Sequence, residues 1–283
     1  MLKDRPITIP MLLAAFGARV GLTWLLTFCE TALIALIPLF IGFAIDGLLE
    51  NDTTALFQLV AVMAVLIAVS VMRRVYDTRV FGTVRVEVGK VQAARAPEQP
   101  VSTLNARLSM GREMVNFLEI DLPLVMAALV QLLISVIVLF AFDSMLALAG
   151  VGAVVSMLLI YALFHHRFYR LNGHLNRQAE RQVGILETRK PQRLFIHLSR
   201  LRRVEVRLSD TESILYGAIF VVLLGLVVFN LWYATTTLPI TSGTIFSIVS
   251  YSWEFVDSAL ALPVTLQGWS RLSEITKRIN SIR

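Results

Sequence analysis

The chain of 283 residues is 56% hydrophobic and 16% charged, with a mean hydropathy of +0.70; a soluble core of this length cannot use so much apolar side chain, and the surplus has to face lipid. One cysteine, Cys29, inside an apolar run, excludes an internal disulfide framework. The formal net charge of +6 is explained by where the basic residues fall along the chain, so nucleic-acid binding is not implied.

Lys3 and Arg5 precede an apolar stretch too long for a signal-peptide core and without a small-residue cleavage site. A retained first span is therefore expected from Gly21 to Ile45. The acidic turn Glu50-Asn51-Asp52-Thr53 leads to a second span, Ala55 to Met72. A helical segment, Val71 to Ala94, runs on without a breaker until Ala96-Pro97-Glu98-Gln99-Pro100 forces a turn. Leu104 to Asp121 then returns to a third span, Leu122 to Phe142, and only Asp143-Ser144 separates it from a fourth, Met145 to Phe164. A second long hairpin breaks at Thr188-Arg189-Lys190-Pro191 and returns to the fifth span, Ile214 to Tyr233. After Thr235-Thr236-Thr237-Leu238-Pro239 comes a less apolar sixth span, Thr244 to Leu266. Each span is close to the roughly 20 residues that cross a hydrocarbon core, and backbone in lipid must bond to itself, which forces helices. The predicted fold is an all-α membrane protein: six transmembrane helices and two long cytoplasmic helical hairpins in a single domain over residues 1–283.

Orientation follows from the 26 basic residues. Lys3, Arg5 and Arg19 lie at the start; the others fall between Arg73 and Arg112, between Arg167 and Arg207, and from Arg271 onward. The three short turns on the opposite side hold none. This is the positive-inside pattern, and it predicts an inner (plasma) membrane protein of bacterial type with both termini in the cytoplasm.

Several segments resemble a known family. Leu238-Pro239-Ile240-Thr241-Ser242-Gly243-Thr244-Ile245-Phe246, followed by Ser250-Tyr251, Leu262-Pro263 and Lys277-Arg278-Ile279, is similar to the last outer turn, sixth span and exit of type I ABC exporters. Pro38-Leu39-Phe40-Ile41-Gly42 with Ile45-Asp46 resembles the end of that family's first span. Leu104-Asn105-Ala106-Arg107-Leu108, Glu113 and Leu122-Pro123 resemble the approach to its third. The resemblance covers nearly the whole chain. It implies a homodimer in which spans 4 and 5 cross to the partner, so that twelve helices enclose one cavity used for alternating access. It also implies a nucleotide-binding domain after span 6, yet no G-x-x-x-x-G-K-[ST] loop occurs in these residues, so no ATPase activity, and no cofactor, is expected of them. The family's Gly before the Leu-x-x-Arg-Leu stretch stands here as Ser102 or Thr103, and its Asp falls near Gly111. Some permeases of this fold lack ATPase domains and take up peptides or antibiotics on the proton gradient. Three expectations follow: a permease coupled to protons and taking a peptide-like or small amphipathic solute; a permease subunit powered by a separate ATPase; or a membrane scaffold or regulator that does not transport.

Charges within spans cost at least ~2.5 kcal/mol at the centre, and they line polar cavities or pair with one another. Glu30 in span 1 and the pair Glu254 and Asp257 in span 6, at i,i+3 on one helix face, are therefore the candidates for proton coupling or cation binding. Tyr251 and Trp253 are cavity candidates, as are Gln131 and Asn230, whose other reading is interhelical hydrogen bonding. Pro38 and Pro263 are candidate kinks for gating. The hairpin tips at Pro97, Pro100, Pro191 and Phe195 are the candidate docking points for an ATPase or other partner. Arg200, Arg202, Arg203 and Arg207 suit a solvated face, an acidic partner or anionic lipid. His165, His166, His174 and His197 show no ligand spacing, and no metal is expected.

Overall fold

A computed structural model describes residues 8–95, 101–187 and 189–280, all of them helix or short turn. The helices are α1 (Ile9–Leu49), α2 (Thr54–Arg95), α3 (Val101–Asn116), α4 (Leu122–Phe142), α5 (Ser144–Glu187), α6 (Pro191–Thr237) and α7 (Ser242–Asn280), with a π-helical turn, Phe117–Asp121, joining α3 to α4. Among the described residues, five stretches are long and apolar enough to cross a membrane, on α1, α2, α3–α4, α5 and α6. The sixth predicted span falls on α7. Large apolar side chains stand exposed along these helices, among them Phe57, Ile67, Leu133, Leu148 and Val221, which is the surface that lipid covers.

The helix boundaries have local causes. At the end of α1 the Glu50 N–H turns back to Asp46 O and Gly47 O. Asn51 then takes a left-handed φ of 60°, which asparagine tolerates better than most residues. Asp52 next accepts from the Thr54 N–H at 2.9 Å and the Thr54 hydroxyl at 2.7 Å, bonding the first turn of α2. Within the second hairpin Arg189, at φ 51°, ends the turn from which α6 starts with Pro191, where a missing N–H costs nothing.

The chain divides into two compact units: α1–α4 with α7, and α5 with α6 up to Trp232. In the first, Val80, Val84, Val88 and Val91 form one stripe on α2 and meet Leu12 and Val20 of α1 and Met114, Val115 and Leu118 beyond them. Phe81 and Phe117 complete this cluster. It explains why α1 begins at Ile9 and not at Gly21, where the first apolar span was expected: residues 9–20 extend the helix to bury Leu12 and Val20 against the α2 extension. Each such side chain contributes about 1.5–3 kcal/mol when fully buried. In the second unit, α6 buries Leu215, Ile219, Leu223 and Leu226 along one face, and α5 buries Ala153 and Met157.

The π turn was not foreseen and has a cause in the sequence. Pro123, in the first turn of α4, has no N–H to return to the preceding turn. The Leu122 N–H reaches back five residues to Phe117 O, which leaves Leu118 O without its usual α-helical donor. Trp24 of α1 supplies one, its indole Nε1–H donating to Leu118 O at 3.4 Å. Trp24 thus ties α1 to the entry of α4.

Candidate functional site

In the first unit, α1, α4 and α7 frame a recess of about 500 Å³. Its polar groups come from Thr31 of α1, Gln131 of α4, and Glu254, Asp257 and Ser258 of α7; Trp253 and Ile34 supply apolar wall. The orientation of α7 follows from a seam on its neighbouring face. The Ser247 hydroxyl donates to Pro38 O at 3.0 Å and the Tyr251 hydroxyl to Ala35 O at 2.6 Å. Positions 247 and 251, one helical turn apart, therefore face α1, which turns 254, 257, 258 and 261 toward α4 and the recess. Pro38 removes one backbone donor from α1 and crowds the carbonyl four residues back. Polar carbonyls of that segment are bonded from α7.

Farther along the seam the two backbones meet. A Cβ on Gly42 would lie 2.6 Å from Gly243 O, and one on Gly243 would lie 2.7 Å from Asp46 Cγ. Only glycines permit this crossing. Asp46 then closes the seam: Oδ1 accepts from the Gly243 N–H at 2.8 Å and Oδ2 from the Thr241 hydroxyl. A carboxylate thus sits on the exposed amides at the start of α7, where the helix dipole favours it.

Within the recess, the Gln131 amide donates from Nε2 to Glu254 Oε2. Glu254 is partly buried and Asp257, one turn on, is exposed. Gln131 Oε1 is buried with no partner among the described residues. Among the described residues one side chain donates to the Glu254 carboxylate, and its remaining acceptor capacity is open to water, a proton or a cationic group. Among the described residues, no group of three or more His, Cys, Asp or Glu side chains gathers to hold a metal ion.

Residues 10–243 match the family described as ABC transporter transmembrane region. The chain belongs to that family. None of the curated proteins matches it. It is thus the membrane component of a transporter, and the stretches whose sequence resembled the family, Pro38 to Asp46 and Leu238 to Phe246, are those that the Gly42–Gly243 crossing and the Asp46 cap join.

The structure separates the other candidates. Glu30 is not in the recess: its neighbour Thr31 lines it, and Glu30, about 100° round the helix, turns to α2. There it accepts from the Ser70 hydroxyl at 2.5 Å and pairs with Arg73 Nε, while Arg73 Nη1 bonds Asp77 at 3.0 Å. Spacing along the chain names Glu30 as a coupling candidate but does not say which neighbouring helix it faces. Tyr251 is fully buried and its hydroxyl bonds Ala35 O in the α1 seam. Trp253 lines the recess and is half exposed. Asn230 is buried on α6 in the second unit. Pro38 is buried inside a continuous α1, and Pro263 lies within the helical backbone of α7. Pro97 and Pro100 lie outside the described residues. Pro191 and Phe195 are exposed at the start of α6, Phe195 strongly so at 72%. Thr31 and Ser258 were missed; small hydroxyls in apolar helices carry no distinguishing pattern.

Proposed function

We propose that this chain is a permease that works by alternating access and that Glu254 and Asp257 take the cationic group of its solute, or the proton that drives it. The supporting observation is the recess itself: two carboxylates one turn apart on α7, one of them held by Gln131, in a space of about 500 Å³ with Trp253 beside them. That volume is within the range of small-ligand sites. A peptide-like or small amphipathic solute with a positive charge matches it, the indole accepting the apolar or cationic part and the carboxylates the charge. The distribution of basic residues supports a plasma membrane location with both termini in the cytoplasm. The existence of a separate unit made of α5 and α6 supports a homodimer in which that unit is exchanged.

The test is uptake of a fluorescent cationic amphipathic peptide into proteoliposomes of the purified chain under an imposed pH gradient without ATP. Uptake is expected with the native chain and is expected to collapse with a protonophore. The coupling assignment is wrong if Glu254→Gln and Asp257→Asn leave uptake intact.

A second reading, a permease subunit driven by a separate ATPase, is favoured by the exposed Phe195 near the tip of the second hairpin. On that reading an ATPase chain co-purifies from native membranes, Phe195→Asp abolishes the association, and the pH gradient alone drives nothing. The absence of both flux and an ATPase would leave the scaffold as the remaining reading.

A further inference from the structure

In the second unit, a cleft of about 480 Å³ is lined by Arg167, Arg170, Leu171 and His174 of α5 and by Arg207 of α6. Three arginines from two helices line it, all of them exposed. Among the described residues none of the three forms an ion pair. Glu205, Asp210 and Glu212 lie on α6 close to Arg207 in sequence, yet none approaches these guanidiniums within ion-pair distance. Like charges gathered in one cleft repel unless an anion joins them. No carboxylate among the described residues supplies that anion.

The depth of the cleft says which anion. Arg167 and Arg170 follow the end of the fourth span, Phe164, by three and six residues, and Arg207 precedes the start of the fifth, Ile214, by seven. At about 1.5 Å per helical residue these positions lie roughly 5–10 Å beyond the hydrocarbon. The headgroup zone extends roughly 5–8 Å on each side of the core. Tyr161 of α5 and Tyr216 of α6, within electrostatic reach of each other, mark the same level from the membrane side, where amphipathic aromatics concentrate. Leu171 gives the cleft an apolar contact beside its charges.

We propose that this cleft binds the phosphate group of an anionic phospholipid, held by Arg167, Arg170 and Arg207 with His174 at the outer edge. Arginine suits the role because its planar fork meets phosphate oxygens in pairs. The bound lipid joins α5 to α6 at the membrane surface, within the hairpin that carries the second cytoplasmic tip. This inference concerns the second unit alone and stands whatever the solute or its energy source.

The experiment titrates the purified full chain in detergent with dioctanoyl phosphatidylglycerol, with dioctanoyl phosphatidylcholine, and with inorganic phosphate at fixed ionic strength, reading the thermal midpoint at each concentration. Phosphatidylglycerol is expected to raise the midpoint saturably, with the other two giving no comparable shift. An equal response to phosphatidylcholine, or to inorganic phosphate alone, overturns the lipid assignment. The variant R167Q/R170Q/R207Q is expected to weaken the phosphatidylglycerol response at least about tenfold, since each basic residue at a membrane surface contributes about fivefold. Two further variants guard against a folding defect. R167K/R170K/R207K keeps the charge and retains a large part of the response; R200Q/R202Q/R203Q removes equal charge from the same hairpin outside the cleft and leaves the response unchanged. Equal losses in the cleft and control glutamine variants would mean diffuse attraction and no site.

Discussion

Asp46, near the end of α1, accepts a 2.8 Å hydrogen bond from the backbone N–H of Gly243, 197 residues later in the first turn of α7. The other carboxylate oxygen takes the Thr241 hydroxyl. One side chain thereby caps a helix that it does not belong to. Removing it in Asp46→Ala is expected to cost about 1–2 kcal/mol. Asp46→Asn, which keeps an acceptor oxygen, is expected to lose less than half as much. Thermal melting of the detergent-solubilised chain ranks the three; equal midpoints for native and Asp46→Ala would show that the contact carries no stability.

The crossing next to it predicts a contrast between two glycines. A methyl group on Gly243 meets the Gly42 carbonyl and the Asp46 carboxylate, whereas one on Gly152 of α5 meets nothing within 4 Å. Gly243→Ala is expected to destabilise by about 1–3 kcal/mol through overpacking. Gly152→Ala is expected to be neutral or slightly stabilising, since alanine favours helix. Melting midpoints in the reverse order would contradict the close approach.

Trp24 and Pro123 are predicted to be coupled through a carbonyl that neither residue owns. Trp24→Phe deletes the donor to Leu118 O and is expected to cost about 0.5–1.5 kcal/mol. In a Pro123→Ala background the turn regains a backbone N–H and the π step loses its cause, so the same replacement is expected to cost less. A double-mutant cycle on melting free energies reads the difference; strict additivity would separate the π turn from Trp24.

The Glu30–Arg73–Asp77 chain predicts an order of effects. Arg73→Gln leaves two part-buried carboxylates without their cation, while Glu30→Gln leaves Arg73 still bonded to Asp77. The arginine replacement is therefore expected to be the more damaging, by about 1–2 kcal/mol, because stranding charge costs more than losing one partner. Urea midpoints of the two variants test the order. Because Glu30 faces α2 and not the recess, Glu30→Gln is also expected to leave the pH dependence of uptake as in the native chain.

The turn before α2 makes a prediction about pH. The Thr54 hydroxyl first, and its backbone N–H second, hold Asp52 below its ordinary carboxylate value of 3.8. A group lowered in the folded state stabilises above its unfolded value and loses that contribution as pH falls through the folded one. Thr54→Val, which deletes the larger of the two bonds, is thus expected to melt below the native chain at pH 7. The gap is expected to close on acidification below about 3.8. A gap that is constant across that range would assign the loss to packing.

The site was legible in the sequence only where neighbours in the chain are also neighbours in space. Glu254 and Asp257 could be paired on paper because i,i+3 positions share a helix face. Gln131, 123 residues from Glu254, could be named as polar and intramembrane but not as its donor. Chemistry alone names Glu30 and Tyr251 as candidates but not their partners, which are Ser70 and Arg73 on α2 for Glu30 and Ala35 O on α1 for Tyr251. The extra turns of α1 before Gly21 escaped notice because their apolar face is covered by protein, and hydropathy does not distinguish a side chain bound for lipid from one bound for α2.

What the sequence determined by itself is the membrane-spanning helical architecture, with breaks near Asn51, Asp143 and Arg189, because length, apolarity and backbone hydrogen bonding are local requirements that bulk lipid imposes on any chain. The resemblance of its motifs to a transporter family belongs to the same level. What only the tertiary structure decided is which face each helix presents: that Asp46 caps α7, that Pro38 lies under Ser247, that Glu254 meets Gln131 while Glu30 meets Arg73. Those outcomes depend on helix rotation and close approach between segments far apart in the chain, where a single glycine carbonyl or hydroxyl decides the register, and no periodicity within one helix encodes them.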